Sequence, residues 1–481
     1  MNEYYILTEN CNWGKFMHTI RGFFKIKERN SLVRTEVAAG ITTFLTMSYI
    51  IFLQPAILSG KLSGEPTGMD YNALLVGVCI AAAFGSILMG LWSNYPIALA
   101  PGMGENFFFV SVVSSCVSLG VASPETAWQT ALGVVFISGF IFLILSFMNV
   151  REVMMNSISP SMKYAMAGGI GLFIALIGFQ KGGVIHTVFG NYMLNAKDLD
   201  SSTSMIFFTG LIVIAVLHVR KVKGAILWGI LAAAGVAMFA GKIHYSGMVK
   251  MPPSIGPIFA KMDFYNVFVN IIKLLPFIII FTFMDIFDTL GTLVGIASQS
   301  GLMKDGKLPN AKRAFAADSI GTIFGVFCGQ STVTSYIESS AGVECGGRTG
   351  LTAVVTGLCF LLAVLFTPFF SMIGQYPGGI NPIVAPALVI VGAMMMQSVR
   401  HIEWGDFSEA IPAFLILAGI PFTYSIADGL TLGFIAYPII KLLGGKGKEV
   451  SWLTYLIGVL LLLYMIFIKT GILEEMLKNG M

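Results

Sequence analysis

Apolar runs of about 20 residues recur along almost the whole chain, and such a run reads as a helix crossing a bilayer. The hydrocarbon core is ~30 Å thick, which roughly 20 helical residues span. At that depth there is no water to pair with backbone N–H and C=O groups, so the segment must satisfy them itself. The runs predict spans near residues 36–58, 72–92, 127–148, 161–180, 203–219, 222–240, 266–297, 313–329, 350–373, 382–398, 408–425 and 429–443. Segments 96–116 and 331–346 are too short or too interrupted for ordinary spans; each reads as an extended piece followed by a short helix. With them the count is fourteen. A last apolar run, 452–468, fits either a further crossing or a helix lying in the interface.

The composition agrees. The 481 residues are 56% hydrophobic and 11% charged, against about 25% charged in soluble domains. A net charge of +4 argues against a nucleic-acid partner. The five histidines are scattered, and Cys11, Cys79, Cys116, Cys328, Cys345 and Cys359 form no CxxC pair. No metal, cofactor or disulfide framework is expected. The N-terminus lacks the apolar stretch and small-residue cleavage site of a signal peptide. Instead, residues 16–29 alternate apolar and basic side chains and read as an amphipathic helix on the membrane surface.

Basic residues set the orientation. Lys15, Arg21, Lys25, Lys27, Arg29 and Arg34 precede the first span, which places the N-terminus in the cytoplasm. Arg151, Lys163, Arg220, Lys221, Lys223, Lys304, Lys307, Lys312 and Arg313 fall in or beside cytoplasmic loops under a fourteen-span count, and Lys441, Lys446 and Lys448 agree. The external loop 241–262, with Lys242, Lys250 and Lys261, is the exception. The interrupted segments take third place in each set of seven spans, and Gly85-Ser-Ile aligns with Gly321-Thr-Ile. Seven is odd, so two such units are inverted relative to each other, a transporter signature with the substrate site where the broken helices meet.

Acidic side chains within the apolar runs mark the polar pathway. Asp285 and Asp288 lie in the run that starts near Phe268; Glu338 follows Ser331-Thr-Val-Thr-Ser-Tyr336; Glu105 and Asn106 close the turn Ala100-Pro-Gly-Met-Gly104. A carboxylate at bilayer depth costs on the order of a few kcal/mol unless it meets a cavity, partner or ligand. Asp285 and Asp288 are three residues apart and share a helix face about 60° wide, and paired carboxylates in low dielectric suit reversible proton binding. Two helix N-termini facing each other at the breaks make a pocket for a planar, hydrogen-bonding solute. Glu338 suits either a cap or a substrate-binding acid. Asp318 reads as structural or interfacial, and Arg348 as an anchor with an acidic partner. Phe107, Phe108, Phe109, Phe281, Phe283, Phe287 and Tyr336 lie near these acids in sequence, mostly as core and in places as stacking surfaces.

Several motifs carry a resemblance. Arg34-Thr-Glu-Val-Ala-Ala-Gly-Ile-Thr-Thr-Phe-Leu-Thr-Met-Ser-Tyr-Ile-Ile-Phe52, Ala100-Pro-Gly-Met-Gly104, Phe287-Asp-Thr-Leu-Gly-Thr-Leu-Val-Gly295, Thr334-Ser-Tyr-Ile-Glu-Ser-Ser-Ala-Gly-Val343 and Gly346-Gly-Arg-Thr-Gly-Leu-Thr-Ala353 resemble azaguanine-resistance-type purine permeases. These belong with the nucleobase–cation symporters and nucleobase–ascorbate transporters. The resemblance implies an all-α polytopic protein of fourteen spans in two inverted repeats, with a core domain moving against a gate domain like an elevator. The segments would be a cytoplasmic N-terminal piece (1–34), core (35–148), gate (149–262), core (263–373), gate (374–448) and a C-terminal apolar helix with tail (449–481). It implies import of a purine nucleobase (adenine, guanine, hypoxanthine or xanthine) with a proton, sodium being the alternative, by a homodimer in the cell membrane. Substrate would meet Gly104, Asn106, Asp285, Tyr336 and Glu338, and protons would be handled by Asp285, Asp288 and Glu338. Glu105 departs from the family pattern, which has an aliphatic residue there, and is an additional candidate.

Three other functions fit these residues less well. A same-fold anion transporter would favour positive charge at the paired helix N-termini, where this chain has acids, and another small solute on the same scaffold would be one selected through Glu105. A membrane enzyme would need a metal cluster, nucleophile elbow or nucleotide loop, and the sequence has none. A passive channel has no use for opposed broken helices.

Overall fold

The computed structural model describes residues 19, 21–62, 66–147, 158–188, 191–194, 201–245, 247–299, 309–377, 380–463, 465 and 466. Lys15, Arg151, Lys304, Lys307, the Phe287 side chain and the end of the 452–468 run lie outside that description.

Each of the fourteen expected spans has a counterpart. Among the described residues, seven helices are long and apolar enough to cross a bilayer: Val33–Leu58, Tyr71–Ser93, Ala127–Phe147, Pro160–Lys181, Ser202–Val219, Gly350–Gly374 and Ile426–Leu443. Ala225–Phe239 and Phe407–Thr423 are shorter apolar helices. The acid-bearing helix Ile271–Gln299, Ala311–Phe327, Ala385–Met395 and the two interrupted segments complete the set. Trp452–Leu463 packs through Gly458 against Pro438. One element had no sequence signal: a hairpin, Ile185–Val188 with Asn191–Leu194, in the loop after the fifth span.

The first span is itself broken, which the apolar run did not reveal. Helix Val33–Met47 stops and Ile50–Leu58 restarts after a tight turn at Ser48 and Tyr49. Thr46 and Ser48 turn their hydroxyls back onto carbonyls one turn earlier, a bond that bends helices.

At the centre, Leu99–Pro101 and Val333–Ser335 pair antiparallel, with Leu99 opposite Ser335, Ala100 opposite Thr334 and Pro101 opposite Val333. Exchanging 99 with 333, 100 with 334 and 101 with 335 leaves that register unchanged, as a two-fold axis through the pair requires. The surroundings obey the same exchange. Ser86 Oγ donates to Leu99 O at 3.0 Å and accepts from Leu99 N–H at 2.9 Å. Thr322 Oγ1 donates to Val333 O at 3.1 Å and accepts from Val333 N–H at 3.0 Å. Gly85 and Gly321, aligned from sequence, meet across this axis: a Cβ on Gly321 would lie 3.7 Å from Gly85 Cα. The hydroxyls and the pairing together satisfy extended backbone that has no helix of its own.

The helices sort into two packed groups. Spans 33–58, 71–93, 127–147, 311–327 and 350–374 surround the extended pair together with 271–299; spans 160–181, 202–219, 225–239, 385–401, 407–423 and 426–443 pack mainly on one another. Small residues allow the close crossings: Gly90 lies against Gly350, and Gly171 against Gly392.

The N-terminal residues differ from expectation. Of the expected amphipathic helix 16–29, residues 16–18 and 20 lie outside the described residues, 19 and 21–23 are helical, and 24–30 form turns. Phe24 and Ile26 are buried with Leu351, and Arg29 donates to the carbonyls of Asn94 and Arg348, both at 2.7 Å. Two apolar side chains thus pack on protein, and Arg29 supplies donors to carbonyls at the end of the second span and just before helix Gly350–Ala363. Arg348 itself has no acidic partner among the described residues. Its guanidinium donates to the carbonyls of Val343 and Gly347 at 2.6 and 2.8 Å. The nearby acid, Glu36, accepts instead from the backbone N–H groups of Arg348 and Thr349 at 3.0 and 3.2 Å. It thereby supplies acceptors at the start of helix Gly350–Ala363, where free N–H groups accumulate.

One ionic cluster lies in the second group of helices. Lys441 is 2% exposed and pairs with Glu409 and Glu449, each at 2.9 Å. Tyr437 donates to Glu409 at 3.2 Å, and Ser159 donates to its other oxygen. Lys441→Met should leave Glu409 buried without its cation, a loss of about 3–5 kcal/mol. Thermal melting of the purified protein should fall by several degrees and be largely restored in Lys441→Met/Glu409→Leu; an unshifted single variant would show the pair to be dispensable.

Candidate substrate site at the paired broken segments

Both interrupted segments feed side chains to one place. Helix Met103–Ser118 begins at Gly102, and its first turn carries Glu105 beside Asn106. Glu105 is buried, with its carboxylate folded back over Gly102; a Cβ on that glycine would collide with Oε2. An acid in the first turn faces the partial positive charge of the helix start. Asn106 is wholly buried: its Nδ2 donates to Gln54 Oε1, and its Oδ1 accepts from Ser331 Oγ. Gly104 brings this helix against Ile170 of the other helix group, whose side chain would lie 3.2 Å from a Cβ there.

The long helix Ile271–Gln299 supplies the two aspartates, and the structure separates them. Asp285 is 1% exposed. Its Oδ2 lies 3.2 Å from Thr322 Oγ1, whose single hydrogen is shared between this oxygen and Val333 O, and its Oδ1 has no hydrogen-bond partner among the described residues. Asp288, turned 60° around the helix, is exposed. Beneath them lies Asp318, fully buried, accepting from Thr289 Oγ1 at 2.7 Å and from Ser335 Oγ at 2.9 Å. Asp318, Glu105 and Asp288 are all close enough to act on the charge of Asp285. Asp318 therefore has the structural role expected of it, and it also belongs to the acid cluster.

Glu338 is half-buried, and its Oε1 accepts from the hydroxyl of Tyr49 at 2.5 Å. It occupies the capping position of Ser339–Glu344 but its side chain makes no capping bond. That corrects the picture of two matched helix N-termini. The second helix has six residues, against sixteen in the first, too few for the aligned dipoles to add up. The pocket's polarity comes from side chains. Tyr336 is buried, and its hydroxyl donates to Pro101 O at 2.5 Å, tying one broken segment to the other.

Most of the expected aromatics are core: Phe108 packs on Phe281 with centroids 4.5 Å apart, and Phe107 on Phe173 at 6.0 Å. The sequence reading missed Tyr49, Gln54, Gln330, Thr289 and Thr322 as members of the site. Gln54 carried a signal, as the one amide in the otherwise apolar Ile50–Leu58. The others are ordinary residues whose partners are distant in sequence.

Crossed broken segments, inverted repeats and buried acids define a polytopic membrane transporter. Residues 34–432 match the xanthine/uracil-type Permease family, and the chain belongs to that family. It is 40% identical to the guanine/hypoxanthine permease PbuG of Bacillus subtilis, over 94% of this chain and 100% of that one. It is 39% identical to the adenine permease AdeP of Escherichia coli, over 92% and 95%. The transmembrane domain of the cyanobacterium bicarbonate transporter BicA superposes with a TM-score of 0.58 at 15% identity, covering 83% of this chain and 96% of that chain. That last likeness is one of fold.

Proposed function

We propose that this protein imports purine nucleobases (adenine, guanine, hypoxanthine or xanthine) by proton symport across the cell membrane, with its N-terminus in the cytoplasm. The observation that carries the reading is the partner-free Oδ1 of Asp285. A buried carboxylate oxygen without a donor is an exception among native proteins, and a proton or a purine N–H supplies what it lacks. Glu338 offers a second acceptor within the same acid cluster, and Asp288 is exposed beside it. The relatives named as purine permeases support the substrate class.

In this reading residues 35–148 and 263–373 form the core that carries the site, and 149–262 and 374–448 form the gate. Gly104 against Ile170 and Phe107 against Phe173 are core–gate contacts across which an elevator-like movement would slide. Gly104, Asn106, Tyr336, Asp285 and Glu338 build the substrate site; Asp285, Asp288 and Glu338 handle the proton, with sodium as the alternative ion. Glu105 acts through its charge, since its side chain is folded onto its own helix. A homodimer is the proposed assembly.

Uptake of labelled hypoxanthine and adenine in cells without purine carriers, with and without a protonophore, tests this. Saturable uptake that collapses with the proton gradient is expected, and competition then ranks the bases. No uptake of either base at normal membrane abundance would sink the purine reading, and uptake that followed a sodium gradient instead would replace the proton.

A further inference from the structure

Three buried amides run in series from the backbone of the second and ninth spans to the first broken segment. Gln330 Nε2 donates to Leu74 O at 3.3 Å and to Cys328 O at 3.2 Å. Carbonyl oxygens only accept, so the Gln330 amide has one permitted orientation and presents Oε1 on its other side. Gln54 must then donate to it, as Nε2 does at 3.0 Å. That leaves Gln54 Oε1 to accept from Asn106 Nδ2, and Asn106 Oδ1 to accept from Ser331 Oγ. All four side chains are wholly buried, and each of these three amides has a partner at both its oxygen and its nitrogen. Two backbone carbonyls thus dictate which end of Asn106 faces the second broken segment.

We propose that Gln54 and Gln330 are positioning residues that set the orientation of the Asn106 amide and so hold the two broken segments together at the substrate site. The inference rests on the reading of that junction as the substrate site. Asn106, with both ends of its amide engaged, works here by holding Ser331 at the entry to the second extended segment. A reversed Asn106 amide would set Oδ1 against Gln54 Oε1, two acceptors, unless Gln54 also reversed, and that reversal is blocked at Gln330.

The test uses the purified full chain in lipid nanodiscs and the same variants in uptake cells. Gln54→Leu removes both bonds; Gln54→Glu keeps size and the acceptor but loses the donor to Gln330, and serves if the leucine variant folds poorly. Backbone hydrogen exchange should quicken in peptides covering 99–106 and 331–336 and stay unchanged in 71–93. The KM for purine should rise about tenfold, the equivalent of ~1.4 kcal/mol from one buried hydrogen bond, with membrane abundance unaltered. Unchanged exchange in both broken segments would overturn the proposal, as would quickened exchange with an unaltered KM. Absence of purine uptake by the wild type would remove the substrate reading alone, and the exchange measurement would still decide the amide relay.

Discussion

Asp285→Asn should reduce purine uptake by about 100-fold or more while leaving folded protein in the membrane at its normal level. The substitution is isosteric, and the Asn oxygen still accepts from Thr322 Oγ1, so the local packing and the 3.2 Å bond to that hydroxyl survive. What disappears is the charge and the partner-free oxygen. With the oxygen kept on Thr322, an NH2 group takes the place of Oδ1, and it can neither take up a proton nor accept from a purine N–H. Loss of a buried hydrogen bond to a charged group is worth up to ~3 kcal/mol, which is roughly 150-fold in affinity, and loss of ion coupling would add to it. Initial uptake rates normalised to surface protein measure the effect. Asp318→Asn is the informative comparison. Its oxygens already accept from Thr289 and Ser335, so it should cost folding stability as well as transport. Near-normal uptake by Asp285→Asn would take Asp285 out of the site altogether.

Gly350→Ala should abolish the folded transporter. The first residue of helix Gly350–Ala363 touches the backbone of the second span, and a Cβ there would overlap the carbonyl oxygen of Gly90. Asn94 Cα lies 2.9 Å from the same point. Backbone atoms on both sides cannot swing away as a side chain would, so the spans must separate. Separation would also strip Gly350 N–H from Asn94 Oδ1, now at 2.7 Å. It would undo the seat of Glu36 on the neighbouring N–H groups as well. In a bilayer, where close packing of small residues supplies much of helix association, no hydrophobic gain compensates. Size-exclusion profiles of detergent-extracted protein should show aggregate in place of the wild-type peak; a normal peak would mean that these helices can part at little cost. Gly235→Ala, with nothing within 4 Å of the added carbon, is the neutral control.

The span pattern could be read from the chain because a bilayer imposes it locally: about 20 apolar residues in a row satisfy their own backbone and need no distant partner. The interruptions at 98–104 and 331–336 were visible for the same reason, since Pro101, Gly102 and Gly104 deny the backbone a continuous helix. The break at Ser48 and Tyr49 was not, because it lies inside an unbroken apolar run and depends on hydroxyl-to-carbonyl bonds. The turns at residues 24–30 were not legible on similar grounds. Alternating apolar and basic side chains suit a headgroup region, but Phe24 and Ile26 found a protein surface, beside Leu351.

The sequence by itself determined the class of fold, the inverted halves, the candidate acids and the family to which the chain belongs. Each of these rests on composition, spacing or motif. Tertiary structure decided how the acids divide. Asp285 and Asp288 share one helix face, yet Thr322 and the neighbouring acids Asp318 and Glu105 surround the first, while the second is exposed. It also decided that Glu338 answers to Tyr49 and that Asn106 is held by glutamines from two other spans. Such bonds join residues 52 to 289 positions apart. Their strength depends on distance and angle in three dimensions, which no local pattern of residues encodes.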